Sequence, residues 1–338
     1  MIRVAVDAMG GDNAPGEMVA GALRAAGERS DIQVILTGPE DLIRKEIEAR
    51  GGAPANVRIV DAPEVIETGE PPVNAIRRKK NSSLVVGMKL VKDGEADAFC
   101  SAGNSGAVLV GGQVIVGRLK GVDRAPLAPL IPTEKGVALL IDCGANVDAR
   151  PPHLVQFARI GSVYMKNVMG MESPRVGIVN IGVEEEKGNA LVKETFPLLK
   201  QCGDINFTGS IEAREIPHGG ADVVVTEAFT GNVILKLYEG LGSTLIHKIK
   251  QGMLSDFRSK IGALLVKPAL KETLKDFDVT KYGGAPLLGL RGLVVKTHGS
   301  AKAEEVRNTV LQCAEFVEKD ITGKIRESLE AAESPEEE

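Results

Sequence analysis

The 338-residue sequence contains no tryptophan, and aromatic residues make up only 3% of it. Its four cysteines, Cys100, Cys143, Cys202 and Cys313, are far apart and form no C-x-x-C pair. This spacing argues against a disulfide framework or a zinc site. No uncharged stretch reaches the roughly 18 residues that a membrane-spanning helix needs. The first apolar run is short and contains Asp7, which is not typical of a signal peptide, so a cytoplasmic protein is predicted.

Several catalytic and nucleotide-binding motifs are absent as well. The sequence contains neither the G-x-G-x-x-G dinucleotide fingerprint nor a G-x-x-x-x-G-K-[ST] phosphate loop. It also lacks the G-x-S-x-G and H-E-x-x-H motifs of serine hydrolases and zinc proteases. The formal net charge of −5 argues against bulk attraction to nucleic acid or anionic membranes. An anionic partner would therefore need a local basic patch.

What the sequence does contain is an alternation of short apolar runs with helical patterns. This alternation is typical of βαβ units and predicts an α/β fold with a mostly parallel sheet and helices on both faces. Such sheets bind ligands at the carboxyl ends of their strands. Strands are predicted at residues 2–6, 32–36, 57–60, 96–100, 137–142, 176–180, 205–208, 223–226 and 293–296.

The chain is predicted to form one catalytic domain over residues 1–330, because no glycine- or serine-rich linker and no internal repeat divides it. Residues 229–277 depart from the alternation, since apolar residues recur there every four positions without a strand. Because an α-helix has 3.6 residues per turn, apolar residues spaced by four do not stay on one face of a single straight helix. We therefore expect two helices that form a projecting hairpin. The acidic segment 331–338 is predicted to be a disordered tail.

The tip of this hairpin is predicted at Met253, Leu254 and Phe257, which are flanked by lysine and arginine residues. An apolar tip with basic neighbours can insert among the headgroups of a membrane. The same apolar stripe can instead form a helical bundle in a dimer. The pattern leaves both uses open.

Six predicted strands end in turns that are rich in glycine and short polar residues. The turns lie at residues 7–12, 101–106, 142–146, 180–188, 226–232 and 297–300. Each places backbone N–H groups where a helix begins, an arrangement that binds phosphate. Glycine, serine and asparagine also occur at such turns for structural reasons alone, but the repetition favours a site for an anion.

Three single residues in these turns have two interpretations each. Lys187 can neutralise a phosphate or pair with Glu184 on an exposed helix. His298, at a strand end, can bind phosphate or transfer protons, or it is a core histidine. Cys143 could be an acyl-accepting nucleophile, but nothing nearby marks it as a reactive thiolate, and we predict a small buried residue.

A basic run, Arg77-Arg78-Lys79-Lys80, follows a pair of prolines and is predicted to open a long helix. A run of charge is usually a solvated helix face. On an otherwise acidic protein it can equally dock an acidic protein partner.

The order of these motifs resembles that of bacterial phosphate acyltransferases, which act on acyl-acyl carrier protein in phospholipid synthesis. The resemblance covers nearly the whole chain. Its marks are VAVDAMGGD at 4–12, IRRKK at 76–80, SAGNSGA at 101–107, GANVD at 144–148, NIG at 180–182, EEKG at 185–188, YGGAPLLGL at 282–290 and KTHGS at 296–300. The chain departs from the family pattern at Glu227-Ala228, Cys143 and Ala301.

The resemblance implies a Rossmann-like three-layer αβα sandwich, related to phosphate acetyltransferases and isocitrate dehydrogenase-like folds, from which the hairpin projects. It implies that long-chain acyl-acyl carrier protein and inorganic phosphate give acyl phosphate and free carrier protein, without a metal or an organic cofactor. It also implies a cytoplasmic homodimer that is peripherally associated with the inner face of the cell membrane. The acyl phosphate would pass to a membrane glycerol-3-phosphate acyltransferase.

The site is expected to act by positioning and electrostatics, because thiolate is a good leaving group. The catalytic residues are predicted to be Lys187, His298, Asn180 and Asp7. Asp7 and Asp12 would repel phosphate directly, so we expect them to orient Lys187, His298 or backbone amides. The predicted phosphate- and acyl-binding residues are Gly10, Gly11, Asp12, Ser101, Gly103, Asn104, Ser105, Gly106, Asp142, Gly144, Asn146, Gly182, Thr230, Gly231 and Asn232. Docking of the carrier protein is assigned to Arg77, Arg78, Lys79 and Lys80.

Two other functions remain open at the level of sequence. A phosphate acetyltransferase-type enzyme would use a short acyl-CoA, and turnover of acetyl-CoA with phosphate would identify it. A non-catalytic scaffold between fatty-acid synthesis and the membrane would leave the polar strand-end turns unexplained.

Overall fold

A computed structural model describes residues 1–275 and 279–333 of the chain. Its strands are β1 (Ile2–Asp7), β2 (Ile32–Gly38), β3 (Val57–Asp61), β4 (Ala98–Ser101), β5 (Leu130–Thr133), β6 (Gly136–Ile141), β7 (Arg175–Asn180), β8 (Asn206–Glu212), β9 (Val223–Val225), β10 (Ala285–Leu287) and β11 (Leu293–Lys296). Its α-helices are α1 (Gly16–Glu28), α2 (Glu40–Glu48), α3 (Pro72–Arg78), α4 (Ser83–Lys92), α5 (Ser105–Gly111), α6 (Pro151–Val168), α7 (Ala190–Lys200), α8 (Ala228–Met253), α9 (Phe257–Lys275), α10 (Ala303–Glu318) and α11 (Ile321–Glu333).

The strands form two sheets. The first sheet has the order β10-β11-β4-β1-β2-β3, and the second has the order β5-β6-β9-β7-β8. All neighbouring strands are parallel except β10 on β11 and β5 on β6. The predicted α/β fold with mostly parallel pairing is therefore confirmed, whereas the division into two sheets was not predicted.

The two antiparallel edge strands, β5 and β10, were missed by the sequence prediction. Each is at most four residues long and contains a proline, Pro132 in β5 and Pro286 in β10. Proline lacks a backbone donor and is confined in sheets to edges, starts and bulges, so a proline-containing run argues against a strand when only the sequence is read.

The central strands of both sheets are buried on both faces. In the first sheet, Val4 and Val6 pack in the cluster that contains α1 and α10, and Ala5 packs in the cluster that contains α4. In the second sheet, Leu139 packs on the side of α6, and Leu140 packs on the side of the first turns of α8. Alternate residues thus face opposite helical layers, which is the three-layer αβα arrangement.

A segment before β5 joins the two sheets. Leu127 forms an antiparallel bridge with Leu287 of β10. Its backbone N–H donates to the Asp142 carboxylate at 2.9 Å, and its carbonyl accepts from Cys143 N at 2.9 Å. The end of β6 is therefore held at a fixed position relative to the first sheet.

Helices α8 and α9 form the helical hairpin that the sequence predicts. α8 continues through Gly252 to Met253, and Asp256 Oδ1 accepts from Ser259 N at 2.9 Å at the start of α9. Residues 276 and 277 of the predicted hairpin lie outside the described residues. α11 extends to Glu333, so it includes the first residues of the predicted tail, and 334–338 lie outside the described residues. The single domain over 1–330 stays a prediction.

Candidate active site

The turns after β1 and β4 interlock at the carboxyl edge of the first sheet. Ser101 Oγ donates to the buried Asp7 carboxylate at 2.7 Å, and Gly103 N donates to Ser101 Oγ at 2.9 Å. Burial raises the pKa of Asp7, and the hydrogen bonds that it accepts act in the opposite direction. A Cβ at Gly10 would lie only 2.7 Å from Gly103 N. Glycine at position 10 is therefore needed for the close approach of the two turns. The structure thus brings predicted residues of both turns together.

Lys296, at the end of β11, belongs to the same group and was not among the predicted site residues. Its Nζ donates to Ala102 O at 3.3 Å and to Thr297 O. Burial lowers the pKa of Lys296 to about 8, while the carboxylates of Asp7 and Asp12 act in the opposite direction. A partly buried ammonium group with such a pKa is typical of functional sites. Its position at a strand end, directly before a predicted turn, was the available signal.

His298 is exposed, so its interpretation as a core histidine is wrong. Its Nδ1 lies 2.8 Å from Ser300 Oγ, and its Nε2 lies 4.0 Å from Glu239 Oε2 of α8. In the same turn, Gly299 O accepts from Asp12 N at 2.8 Å. The turn after β11 therefore contacts both α8 and the turn after β1. Gly11 has a φ of +97° and packs against Gly299 O. Both the left-handed backbone and the close packing require glycine at this position.

The turn after β6 is organised by the buried carboxylate of Asp142. This carboxylate accepts from Leu127 N (2.9 Å), Ala145 N (3.2 Å), Asn146 N (2.8 Å) and Asn146 Nδ2 (2.8 Å). Burial nevertheless raises the pKa of Asp142 to about 6. Asn146 Nδ2 also donates to Ala125 O at 3.0 Å, so both amide hydrogens are engaged within the protein. Asp142 and Asn146 therefore shape the turn.

The first turn of α8 packs directly on the turn after β6. A Cβ at Gly231 would lie 1.9 Å from Asp142 O. Glu227 caps the helix, since its Oε1 accepts from Thr230 N at 2.9 Å. Glu227, where the chain departs from the family pattern, is thus the N-cap residue of α8. Cys143 is buried as predicted, and burial raises the pKa of its thiol well above the ordinary value.

One face of α8 connects the turns of the two sheets. Asn232, Lys236 and Glu239 are spaced as i, i+4 and i+7, which places them on the same face. Asn232 Oδ1 lies 4.0 Å from the position that a Cβ would take at Gly144, in the turn after β6. Lys236 Nζ contacts Glu239 at 2.7 Å, and Glu239 approaches His298. Lys236 and Glu239 were not predicted, although their spacing from Asn232 was visible.

Asn180 and Lys187 form a separate group at the end of β7. Asn180 Nδ2 donates to Lys187 O at 3.0 Å and to Ser210 Oγ at 3.1 Å. Lys187 Nζ is exposed and lies 2.8 Å from Glu184 Oε2, and a Cβ at Gly182 would lie 2.6 Å from Lys187 Cδ. Within residues 1–275 and 279–333, no hydrogen bond or ion pair joins this group to the first-sheet turns. The partner of Lys187 is thus Glu184 and neither Asp7 nor Asp12.

Asn104, Ser105 and Gly106 lie at the start of α5. Asn104 is buried, and its Nδ2 donates to three carbonyl groups of the segment 67–70, at 3.0 to 3.2 Å. A Cβ at Gly106 would lie 2.4 Å from Pro72 Cγ, whereas Ser105 is exposed. Asn104 and Gly106 therefore hold neighbouring segments in place, and Ser105 is the accessible residue of the three.

The basic run 77–80 does not open a long helix, so that prediction is wrong. The short helix α3 ends at Arg78, and the side chain of Ser82 caps a new helix, α4. Lys79 ion-pairs with Glu70, whereas the other three basic side chains of the run are exposed. The surface assigned to carrier docking thus has three accessible charges.

Met253, Leu254 and Phe257 lie at the turn of the hairpin, as predicted. Leu254 is 50% exposed and Phe257 is 77% exposed. The stripe along α8 is exposed as well, with Leu237 at 65% and Leu241 at 64%. Of the helices that the structure describes, none has both the length and the apolar character to cross a membrane.

One cavity of about 340 Å³ lies at the opposite edge of the first sheet, beside Asp97 and Arg291 at the amino ends of β4 and β11. It is therefore remote from the strand-end turns. Among the described residues, no group of three or more histidine, cysteine, aspartate or glutamate side chains is arranged to hold a metal ion.

The protein is an α/β protein with mostly parallel sheets, and its fold is similar to that of solved phosphotransacetylases. A phosphotransacetylase from Streptococcus pyogenes matches with a TM-score of 0.62 at 18% identity, over 98% of this chain and 94% of that chain. EutD phosphotransacetylase from Staphylococcus aureus matches with a TM-score of 0.60 at 16% identity, over 94% of both chains. At these identities, the likeness shows the fold alone.

Sequence comparison shows the family. Residues 2–324 match the family described as "Fatty acid synthesis protein". The phosphate acyltransferase of Clostridium perfringens is 48% identical over 97% of both chains, and that of Alkaliphilus oremlandii is 48% identical over the same shares. The chain belongs to this family of bacterial phosphate acyltransferases, which confirms the resemblance of its motifs, and it is a transferase enzyme.

Proposed function

We propose that the enzyme transfers a long acyl chain from acyl carrier protein to inorganic phosphate, and that the acyl phosphate feeds glycerol-3-phosphate acylation at the membrane. The observation that carries the proposal is the convergence of polar turns from three adjacent parallel strands, beside a polar face of α8. Backbone donors and fixed charges at such an edge suit a phosphate nucleophile and a developing oxyanion.

The reaction mainly requires that the site hold the two reactants close together in the correct orientation. A phosphate oxygen attacks the thioester carbonyl carbon, the C–O bond forms, and the C–S bond breaks. The proton of hydrogen phosphate ends on the departing sulfur, so acyl phosphate and a free thiol result. Because thiolate leaves readily, correct placement and stabilisation of the oxyanion supply most of the acceleration.

The assignment of the acyl donor to a carrier protein rests on charge. The chain has a net charge of −5, yet Arg77, Arg78 and Lys80 present exposed positive charge next to α5. An acidic carrier would be attracted to this surface and repelled by much of the remainder.

Dimerisation and peripheral membrane contact are proposed for the hairpin. Its flanks expose a continuous apolar stripe, and its tip combines Leu254 and Phe257 with nearby basic side chains. A helical bundle would bury the stripe, and the tip would then remain free to contact lipid.

In the deciding experiment, the purified protein is incubated with palmitoyl-acyl carrier protein and phosphate, and the formation of acyl phosphate is measured. Product that depends on both substrates is expected. Turnover of acetyl-CoA alone would instead identify an acetyltransferase-type enzyme. Absence of product with every donor would contradict the proposal and favour a scaffold.

A further inference from the structure

Three arginines surround a cavity beside the turn after β6. The cavity has a volume of about 330 Å³, and its lining includes Arg118, Arg124, Arg150 and His153. Residues 118–124 and 148–153 contain four basic and two acidic side chains, on a chain whose net charge is −5. The cavity is thus a local basic patch of the kind that an anionic ligand would need.

The three guanidinium groups form no ion pair within the described residues, although Arg118 donates a hydrogen bond to the carbonyl group of Asp123. In the part of the chain that the structure describes, none of them lies within 4.0 Å of a carboxylate oxygen. Asp123, the acidic residue of the lining, instead lies 4.0 Å from His153 Nε2. Burial lowers the pKa of His153, the carboxylate of Asp123 acts in the opposite direction, and the charges of Arg124 and Arg150 lower the pKa further.

The wall of the cavity is fixed before any ligand binds. Gln156 of α6 accepts from Asp123 N at 3.0 Å and donates to Gly121 O at 2.6 Å, so it pins the loop that carries Arg118 and Arg124. On the other side, Arg150 N donates to His153 Nδ1 at 3.1 Å at the start of α6. Arginines on such a fixed frame suit bidentate binding of a phosphate group.

Short segments of chain connect the cavity to the turn after β6. Arg124 precedes Ala125, whose carbonyl accepts from Asn146 Nδ2 at 3.0 Å. Arg150 follows Asn146 by four residues, which separates their Cα atoms by at most about 15 Å. A ligand held at the arginines can therefore extend a flexible arm to the turn after β6.

We propose that Arg118, Arg124 and Arg150 bind the phosphate ester of the pantetheine arm of the acyl donor, an inference that rests on the proposed function. This arm carries the thioester at one end and the phosphate at the other. The phosphate is common to carrier-bound and coenzyme-bound acyl groups. Anchoring it beside the site would position the thioester among the turns without occupying the position of the attacking phosphate.

The test uses Arg124→Gln with Arg150→Gln, because both side chains are exposed and neither forms a hydrogen bond or ion pair within the described residues. The double variant should raise KM at least tenfold for palmitoyl-acyl carrier protein and for palmitoyl-CoA, with KM for phosphate unchanged. Lys45→Gln with Lys92→Gln, which removes the same charge from exposed positions elsewhere, should leave all three constants unchanged.

Direct binding gives an independent readout. Calorimetric titration with pantetheine 4′-phosphate should show binding to the wild-type protein and at least tenfold weaker binding to the double variant, with no binding of unphosphorylated pantetheine. A rise in KM for phosphate alone, a rise for the carrier-bound donor alone, or unchanged constants would each overturn the proposal. If the wild-type enzyme forms no acyl phosphate, the proposed function fails, and the titration still decides whether the cavity binds the phosphate ester.

Discussion

Lys187 has a matched counterpart in Lys200, since both are exposed lysines paired with a glutamate, Glu184 and Glu185 respectively. If Lys187 stabilises phosphate or the oxyanion, Lys187→Ala should lower kcat with palmitoyl-acyl carrier protein about 100-fold, the magnitude typical of removing one such donor. Lys200→Ala should leave kcat unchanged. Equal effects of the two variants would remove Lys187 from the site.

His298 allows the same comparison with His218, another exposed histidine beside a glutamate. We expect His298→Ala to reduce turnover strongly and His218→Ala to have little effect, with both proteins folded by circular dichroism. Near-normal turnover of His298→Ala would exclude the role in proton transfer or phosphate binding.

Lys296 has a pKa of about 8 in the folded protein, below the ordinary value of 10.5. The fold therefore disfavours the ammonium form, and the unfolded chain binds more protons between pH 8 and 10.5. Lys296→Met should therefore raise the free energy of unfolding at pH 7 by about 1–3 kcal/mol. This range already includes the cost of losing two hydrogen bonds to carbonyl groups. The gain should disappear as pH rises from 8 to above 10.5. Urea unfolding of both proteins across this pH range measures the difference in unfolding free energy. A difference that does not change with pH would contradict the prediction.

Gly231 shows how one missing methyl group positions a helix. Gly231→Ala would place Cβ 1.9 Å from Asp142 O, and the resulting displacement should cost about 1–3 kcal/mol of unfolding free energy. Gly240→Ala is the matched control in the same helix, because no atom lies within 4 Å of its added Cβ. It should stabilise by up to about 1 kcal/mol. Urea unfolding compares the two, and similar effects would refute the packing argument.

At the scale of elements, the hairpin combines two surfaces that can be tested separately. Leu254→Glu with Phe257→Glu changes only the tip, so we expect loss of sedimentation with anionic liposomes at unchanged oligomeric mass. Leu241→Glu with Leu245→Glu changes the exposed flank of α8 and should reduce the mass measured by light scattering to that of a monomer. Unchanged liposome binding by the tip variant would contradict the membrane role.

At the scale of the whole molecule, the distribution of charge matters more than its sum. Arg77→Glu with Arg78→Glu should raise KM for palmitoyl-acyl carrier protein about tenfold, because a favourable charge contact becomes repulsive. KM for palmitoyl-CoA should stay unchanged. Lys45→Glu with Lys92→Glu introduces the same change in net charge elsewhere and is the control. Equal responses to both pairs would show that only the overall charge acts.

The elements were largely accessible from the sequence because local patterns specify them. Apolar runs ending in glycine and polar turns marked nine strands, and the four-residue repeat from Leu237 to Leu265 marked the hairpin. The proline-containing edge strands were missed because their pairing depends on the neighbours β6 and β11. The helix expected after the basic run was wrong because Ser82 starts a new helix within a few residues.

The site was only partly accessible because proximity depends on the order of strands in each sheet. β11, β4 and β1 are adjacent although they are far apart in sequence, and this order brings Lys296 to Asp7. Lys187 lies on the second sheet, where Glu184 pairs with it. The link of Asn232, Lys236 and Glu239 to both sheets likewise exists only after α8 has docked.

The sequence by itself determined the α/β class, the polar strand-end turns, the hairpin and the family, because periodicity, turn chemistry and motif order are local properties of the chain. Only the tertiary structure decided that there are two sheets, that Lys296 and Lys236 lie near the strand-end turns of the candidate site, and that three arginines line one cavity. These features depend on which distant segments pack together, and that is decided by the burial of both faces of each sheet and by single close contacts such as Gly231 against Asp142.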